Sequence, residues 1–245
     1  MLLKNLIDNC PNHLKKVHIN GLALDSRKIR KGNLFFALKG QEYDGKNFIQ
    51  EAIYKGARAI LVSNNYKSSH NNIPIIKVKN IKKTLANSCK KFFRNKPKNI
   101  ILVTGTNGKS SIADFFSQIF YLNKIPVATI GTLGIIKNKI IKKTNLTSLD
   151  IISLHNELQL IKKKKIENVI IEASSHGLHQ GRLGGLNIKA GIFSNFSQDH
   201  LDYHKTMKKY FEAKMILFKE LLDKNGFIIT YENLKEFSKI KSIAN

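Results

Sequence analysis

The chain has 245 residues, 42% of them hydrophobic, and 42 Lys and Arg against 17 Asp and Glu give it a formal charge of +25. That is enough apolar material for one or two buried cores. No run approaches the roughly 20 apolar residues of a membrane span, and the first ten residues, with Lys4 and Asp8 among them, lack a signal-peptide core and cleavage site. Cys10 and Cys89 have neither zinc-site spacing nor the density of a disulfide framework, which fits a reducing, cytoplasmic setting. The lysines are dispersed among Asn and Ile, as at 161–166, so the charge reads as a solvated surface and not as a nucleic-acid site. A positive field still speeds capture of small polyanions.

Residues 17–78 alternate short apolar runs (33–38, 59–62 and 73–78) with one stretch at helical spacing (48–54), which reads as a small α/β unit. Residues 82–93 read as a connecting helix. The polar break Asn95-Lys96-Pro97-Lys98 then divides the chain into expected domains 1–95 and 96–245.

Next, Ile100-Ile101-Leu102-Val103 leads into Thr104-Gly105-Thr106-Asn107-Gly108-Lys109-Ser110-Ser111, followed by an amphipathic segment to about residue 122. Strand, glycine loop and helix in that order make a phosphate cradle. The glycines let backbone N–H groups turn inward, the helix N-terminus favours an anion, Lys109 adds charge, and Ser110 offers a hydroxyl to magnesium. The spacing departs from G-x-x-x-x-G-K-[ST], since Val103 stands where the first glycine would be.

Beyond the loop the pattern predicts a strand at 127–130, a glycine-rich turn at 131–134, a helix at 149–161 and strands at 169–173 and 190–194. A helix at 207–222 and a strand at 227–230 follow. Strands alternating with helices predict a mostly parallel sheet covered on both faces, with ligands at the carboxyl ends of its strands. After residue 230 a further helical pattern begins, and the chain stops at Asn245 without completing another unit.

Four groups of residues belong at those strand ends. Glu172 closes the run Val169-Ile170-Ile171-Glu172 and is either a magnesium ligand or an ordinary edge carboxylate. The segment Asn-Phe-Ser-Gln-Asp-His-Leu-Asp-Tyr-His at 195–204 is dense in Asp and His but lacks a helical metal motif. Lys214 sits on an amphipathic segment and reads, by base rate, as a surface charge. In Gln180-Gly181-Arg182, Arg182 is either a phosphate or carboxylate clamp or a surface residue.

Taken together, these segments resemble the Mur ligase family, ATP-dependent amide-bond-forming enzymes of peptidoglycan precursor synthesis. Within it they are most similar to the branch that adds the third amino acid. The carrying motifs are Leu24-Asp25-Ser26-Arg27, Gly32-Asn33-Leu34-Phe35-Phe36-Ala37, Asp44-Gly45, the glycine loop, Glu172-Ala173-Ser174-Ser175-His176-Gly177-Leu178, and 195–204 running into Tyr210 to Lys214. The resemblance implies an α/β architecture. A small N-terminal domain for the UDP-sugar precedes an incomplete P-loop-type domain with a mostly parallel sheet, and the family's C-terminal ligase domain is absent from these residues.

It also implies site residues. Gly105, Thr106, Asn107, Gly108, Lys109, Ser110 and Ser111 hold the ATP phosphates, with Lys109 on the transferred phosphate. Ser110 and Glu172 serve one Mg²⁺, while His200 and a carbamylated Lys214 serve a second. Leu24, Ser26, Gln41, Glu42 and Tyr43 contact the UDP-sugar, and Asn145, Leu146, Thr147, Ser174, Gln180 and Arg182 the muramoyl-peptide arm. The family pattern at 145–147 is Asn-Thr-Thr, so Leu146 removes one hydroxyl. The implied reaction joins an amino acid, meso-diaminopimelate with L-lysine as the alternative, to UDP-MurNAc-L-Ala-D-Glu through an acyl phosphate. ATP and Mg²⁺ are its cofactors, and the expected enzyme is a cytoplasmic monomer with no nucleic-acid or membrane partner. The rival readings are a non-catalytic remnant that binds UDP-sugar and a folylpolyglutamate-type ligase. The unit around Leu24 to Arg27, ahead of the ATP loop, disfavours the latter.

Overall fold

The computed structural model describes residues 1–40, 43–67, 73–137, 140–142 and 149–244. The chain forms two compact units, Met1–Arg94 and Asn95–Asn245.

In the first unit, β1 (Gly21–Ala23), β2 (Asn33–Phe36), β3 (Ala59–Ser63) and β4 (Ile75–Val78) form a parallel sheet in sequential order. α1 (Ile49–Tyr54) crosses between β2 and β3 and buries Ile49 and Ala52 against Phe35, Ile60 and Val62. The inner strands β2 and β3 are apolar on both faces, as strands of a parallel sheet are. α2 (Ile81–Phe92) starts at Asn80, whose side chain accepts from Lys83 N, and its Ser88 hydroxyl donates to the Leu6 carbonyl at 3.1 Å.

The second unit contains β5 (Asn99–Thr104), α3 (Lys109–Leu122), β6 (Val127–Gly131), β7 (Gly134–Lys137), β8 (Ile140–Lys142) and α4 (Ile151–Lys163). These are followed by β9 (Asn168–Glu172), α5 (Ser175–His179), β10 (Ile188–Phe193), α6 (Leu201–His204), α7 (Met207–Ile216), β11 (Leu222–Ile229) and α8 (Phe237–Ala244). The sheet order is β11-β10-β5-β9-β6-β7-β8. Strands β11 to β6 are parallel, whereas β6, β7 and β8 pair antiparallel. β5 lies between β9 and β10, so the glycine loop at its tip is flanked by the carboxyl ends of both neighbours.

Three features differ from the sequence expectation. The strands β7 and β8 follow the expected glycine turn at 131–134, in a stretch where no element was read; each is four residues or fewer, too short to register an alternation. The helix expected at 207–222 is α-helical only to Ile216, passes through a π-helical turn at Leu217–Leu221, and gives way to β11 five residues before the expected strand start. The sheet is also not evenly covered. Residues of α4, α5, α7 and α8 join one large core with Ile100, Leu102, Val169 and Ile171. On the other face, only α3 among the described helices of this unit packs against Val103 and Ile170.

Candidate active site

The glycine loop is shaped by two positions that need unusual backbone. Gly105 has φ +146°, and a Cβ there would stand 1.9 Å from Ser194 Oγ; Gly108, with φ +81°, begins α3. The end of β10 clamps the loop. Asn195 Oδ1 accepts from Asn107 N at 2.9 Å, Asn195 Nδ2 donates to Asn107 O at 3.0 Å, and Thr106 N donates to Asn195 O at 3.0 Å. Ser194 Oγ donates to Asn107 O at 2.7 Å, and Thr106 Oγ1 accepts from Ser197 N at 3.0 Å while lying 3.3 Å from Tyr210 Oη. Lys109 folds back over the loop, its Nζ donating to Gly105 O at 3.0 Å and Thr106 O at 2.7 Å. Burial lowers its pKa, and the charges of Glu172 and Asp199 partly counter this. Ser111, in the first turn of α3, is exposed.

Glu172, at the tip of β9, is buried, and its oxygens are held by neutral donors. Ser110 Oγ donates to Oε2 at 2.8 Å, Thr132 Oγ1 to Oε2 at 3.1 Å, and Thr132 N to Oε1 at 3.0 Å. Gly131 admits this carboxylate, since a Cβ there would meet Oε1 at 2.0 Å. A buried carboxylate flanked by two hydroxyls, and forming no salt bridge among the described residues, has the hard-oxygen chemistry that suits magnesium. Thr132 escaped the sequence reading; its only signal was its place beside Gly131 in the glycine-rich turn.

Lys214 is not a surface lysine. It is 1% exposed, its Nζ donates to Gly105 O at 2.7 Å, and the amine lies 4.4 Å from the centre of the Tyr210 ring. Burial, reinforced by the charge of Lys109, pushes its pKa down to about 7. The base-rate expectation fails because α7 turns this position under the loop.

His200 and His204 also lie beside Tyr210, with ring centres 6.0 and 5.2 Å from its own. His200 adopts left-handed backbone (φ +51°) ahead of α6, and Asp199 Oδ1 accepts from its backbone N at 2.8 Å. Its ring centre is 4.8 Å from that of His176 and 6.0 Å from that of Tyr210. His204 Nε2 is 3.0 Å from Ser175 Oγ, and burial with three neighbouring histidines pushes its pKa down to about 4, so it is neutral near pH 7. Tyr203 Oη lies 2.9 Å from His179 Nδ1 and accepts from Gln180 Nε2 at 3.4 Å, while Arg182 Nε donates to Gln180 Oε1 at 2.8 Å. Ser174 caps α5 by accepting from Gly177 N at 3.1 Å. Thus Lys109, Ser110, Glu172 and Lys214 gather at the loop, and Ser174, Gln180 and Arg182 gather around α5.

In the first unit, Ser26 Oγ donates to Glu51 Oε2 at 2.5 Å, and Lys55 Nζ pairs with the other oxygen of the same carboxylate at 2.7 Å. Leu24 is half-buried, and Tyr43 is exposed with its ring edge-on to Phe48. The expected contacts Gln41, Glu42, Asn145, Leu146 and Thr147 lie outside the described residues.

Comparison with known proteins bears on the family and the fold. Residues 103–244 match the Mur ligase middle domain, and residues 18–95 match the Mur ligase family, catalytic domain. The UDP-N-acetylmuramoyl-L-alanyl-D-glutamate--2,6-diaminopimelate ligase of Bradyrhizobium diazoefficiens is 40% identical over 229 residues, 92% of this chain and 47% of the relative. The ligase of the same name from Rickettsia prowazekii is 39% identical over 235 residues, 94% of this chain and 48% of the relative. A solved structure of a ligase of that name superposes with a TM-score of 0.81 at 28% identity, covering all of this chain and 50% of the other. The MurF ligase of Thermotoga maritima in complex with ADP shares the fold, with a TM-score of 0.55 at 20% identity over 93% of this chain and 48% of the other. The chain spans about half the length of the curated relatives it matches. With its middle-domain match covering more than half of its residues, the chain belongs to the Mur ligase family.

Proposed function

We propose that this chain supplies the ATP- and sugar-nucleotide-binding half of a ligase that joins meso-diaminopimelate to UDP-MurNAc-L-Ala-D-Glu. The observation that carries the reading is the convergence of Lys109 and Lys214 on the Gly105 carbonyl, beside the Ser110–Glu172 contact. The identity to ligases named for that reaction supports the choice of substrates. The substrate carboxylate attacks the γ-phosphorus, ADP leaves, and the amino group of the incoming amino acid displaces phosphate from the acyl phosphate.

In this reading the chain works by positioning and charge. Loop N–H groups cradle the phosphates, and Lys109 exchanges its two carbonyl partners for the transferred phosphate. Ser110, Glu172 and Thr132 are the residues that would hold magnesium, which when bound neutralises phosphate charge. Lys214, largely able to shed its proton near neutral pH, has the free amine that carbamylation by CO₂ requires. The resulting anion would replace repulsion from Lys109 with attraction and give His200 an oxygen-bearing neighbour for a second magnesium. In the first unit, Glu51 takes the Ser26 proton as a hydrogen bond, which leaves the Ser26 lone pairs for a donor on the sugar nucleotide. We place the reaction in the cytoplasm, where ATP is available.

Calorimetric titration of the purified chain with MgATP and with UDP-MurNAc-L-Ala-D-Glu tests this reading. Both should bind, with Lys109→Ala losing only ATP and Ser26→Ala losing only the sugar nucleotide. Absence of binding by both ligands would sink it.

A further inference from the structure

Thr104, the last residue of β5, is fully buried, and its hydroxyl has no hydrogen-bond partner among the described residues. Buried hydroxyls are nearly always paired, because an unmade bond forfeits hydration and gains nothing in return. The backbone here is regular: the Thr104 carbonyl accepts from Ser194 N at 2.9 Å, so only the side chain is left out of the bonding. Ile100 and Leu102 of the same strand enter the core packed by α4, α5, α7 and α8, while Ile101 and Val103 point to α3. Successive strand residues alternate between faces, so Thr104 continues the first row. Its register partner Phe193 on β10, and Ala173 just past β9, belong to that core as well.

The same face receives α7. Met215 joins the core, and the Phe211 ring centre lies 6.1 Å from that of Phe193. Lys214, on the same helix, is buried and donates through Nζ at 2.7 Å to the carbonyl of Gly105, the residue after Thr104. The amine thus ends one residue from the Thr104 hydroxyl, yet the two are not hydrogen-bonded to each other. An ammonium has donors only, so it leaves the hydroxyl proton without an acceptor. A carbamate on the same nitrogen would carry two acceptor oxygens.

We propose, building on the carbamylation of Lys214 put forward above, that the Thr104 hydroxyl donates to one oxygen of the Lys214 carbamate and holds that group in place. To form it, the lone pair of the uncharged amine bonds to the carbon of CO₂, one C=O pair moves onto oxygen, and the nitrogen passes a proton to water. One N–H remains and keeps the Gly105 carbonyl as its acceptor, so the new oxygens extend from a fixed nitrogen. One takes the Thr104 proton, and the other stays free for a cation. A hydrogen bond to a charged acceptor is roughly twice as strong as a neutral one, so carbamylation relieves the cost of the unmade bond and is favoured by it. Thr104 is therefore a positioning residue that acts through Lys214.

The test uses the 245-residue chain at pH 8 with ¹³C-bicarbonate, taking as the Lys214 carbamate the carbon signal that Lys214→Met lacks. Thr104→Val keeps the shape of the side chain without its hydroxyl and should need roughly tenfold more bicarbonate for half-occupancy, whereas Thr104→Ser should stay within about threefold of wild type. In CO₂-free buffer Thr104→Val should melt above wild type, since an unpaired buried hydroxyl is gone. Added bicarbonate should narrow or reverse that gap, which a merely structural threonine would not do. Equal occupancy in wild type and Thr104→Val, as a buried water on the hydroxyl would produce, overturns the proposal and leaves the carbamylation of Lys214 standing. Equal loss in Thr104→Val and Thr104→Ser overturns it too, by assigning the effect to packing. Absence of the Lys214 signal from wild type removes both.

Discussion

Lys109 and Lys214 donate to the same atom, the carbonyl oxygen of Gly105, at 3.0 and 2.7 Å. Burial disfavours charge on each amine and lowers both pKa values, and on Lys214 the charge of Lys109 adds to burial, so that it reaches about 7. The loop thus holds one amine poised between its two protonation states before any ligand arrives.

That poise has a sign in stability. An unfolded Lys214 titrates near 10.5 and the folded one near 7, so between those values the unfolded chain binds more protons and the group's contribution to stability rises with pH. Below pH 7 the full penalty of charging a buried amine is present. In CO₂-free buffer, Lys214→Met should therefore gain most over wild type at pH 6. The advantage should shrink by roughly 1.4 kcal/mol per pH unit between 7 and 9. Urea unfolding of both proteins at pH 6 and 9 measures it; a pH-independent difference would mean that Lys214 titrates like a surface lysine. With ¹³C-bicarbonate added, a carbamate carbon signal should appear in wild type and be missing from Lys214→Met.

Glu172→Gln keeps the shape of the side chain and removes its charge. The amide oxygen still accepts from Ser110 or Thr132, so melting should move by a few degrees at most. The magnesium dependence of ATP binding, read by titrating Mg²⁺ at fixed ATP, should shift at least tenfold to higher concentration. An unshifted curve would assign the metal elsewhere.

Gly131→Ala probes the same carboxylate from below. The added methyl would stand 2.0 Å from Glu172 Oε1, so either β6 or the carboxylate must move. The cost of such overpacking is about 1–3 kcal/mol. Chemical denaturation should register that loss, and Mg²⁺-dependent ATP binding should weaken in the same variant. Unchanged stability would show that the turn at Thr132 gives way freely.

Much of this arrangement is legible in the sequence because its signals are local. The apolar run into Thr104 and Gly105 marks β5 and its loop, and Glu172 closes the short β-branched run Val169-Ile170-Ile171, which reads as a strand. What escaped depends on distant residues. Lys214 is one of many lysines, and its burial under Gly105 comes from the docking of α7, 109 residues away in sequence. Thr132 matters only because Gly131 lets Glu172 approach. The early start of β11 at Leu222 is hidden as well, because Asp223, Lys224, Asn225 and Gly226 carry no strand signal ahead of the apolar run Phe227-Ile228-Ile229.

Asn195 offers a last separation of positioning from contact. Its amide pairs with both the N–H and the carbonyl of Asn107, at 2.9 and 3.0 Å, standing in for a strand partner that the loop lacks. Asn195→Ala removes both bonds and frees the loop to sample conformations in which its N–H groups no longer converge. Each bond is worth about 1 kcal/mol, so with both lost ATP affinity should fall by up to roughly thirtyfold. Asn195→Asp keeps the acceptor for Asn107 N but sets a carboxylate against the Asn107 carbonyl and near the phosphate cradle, so it should bind ATP more weakly than the alanine variant. Calorimetric titration of the two variants gives the order. Equal affinity in both would assign the clamp's effect to the Asn107 carbonyl bond alone and remove electrostatics from the account.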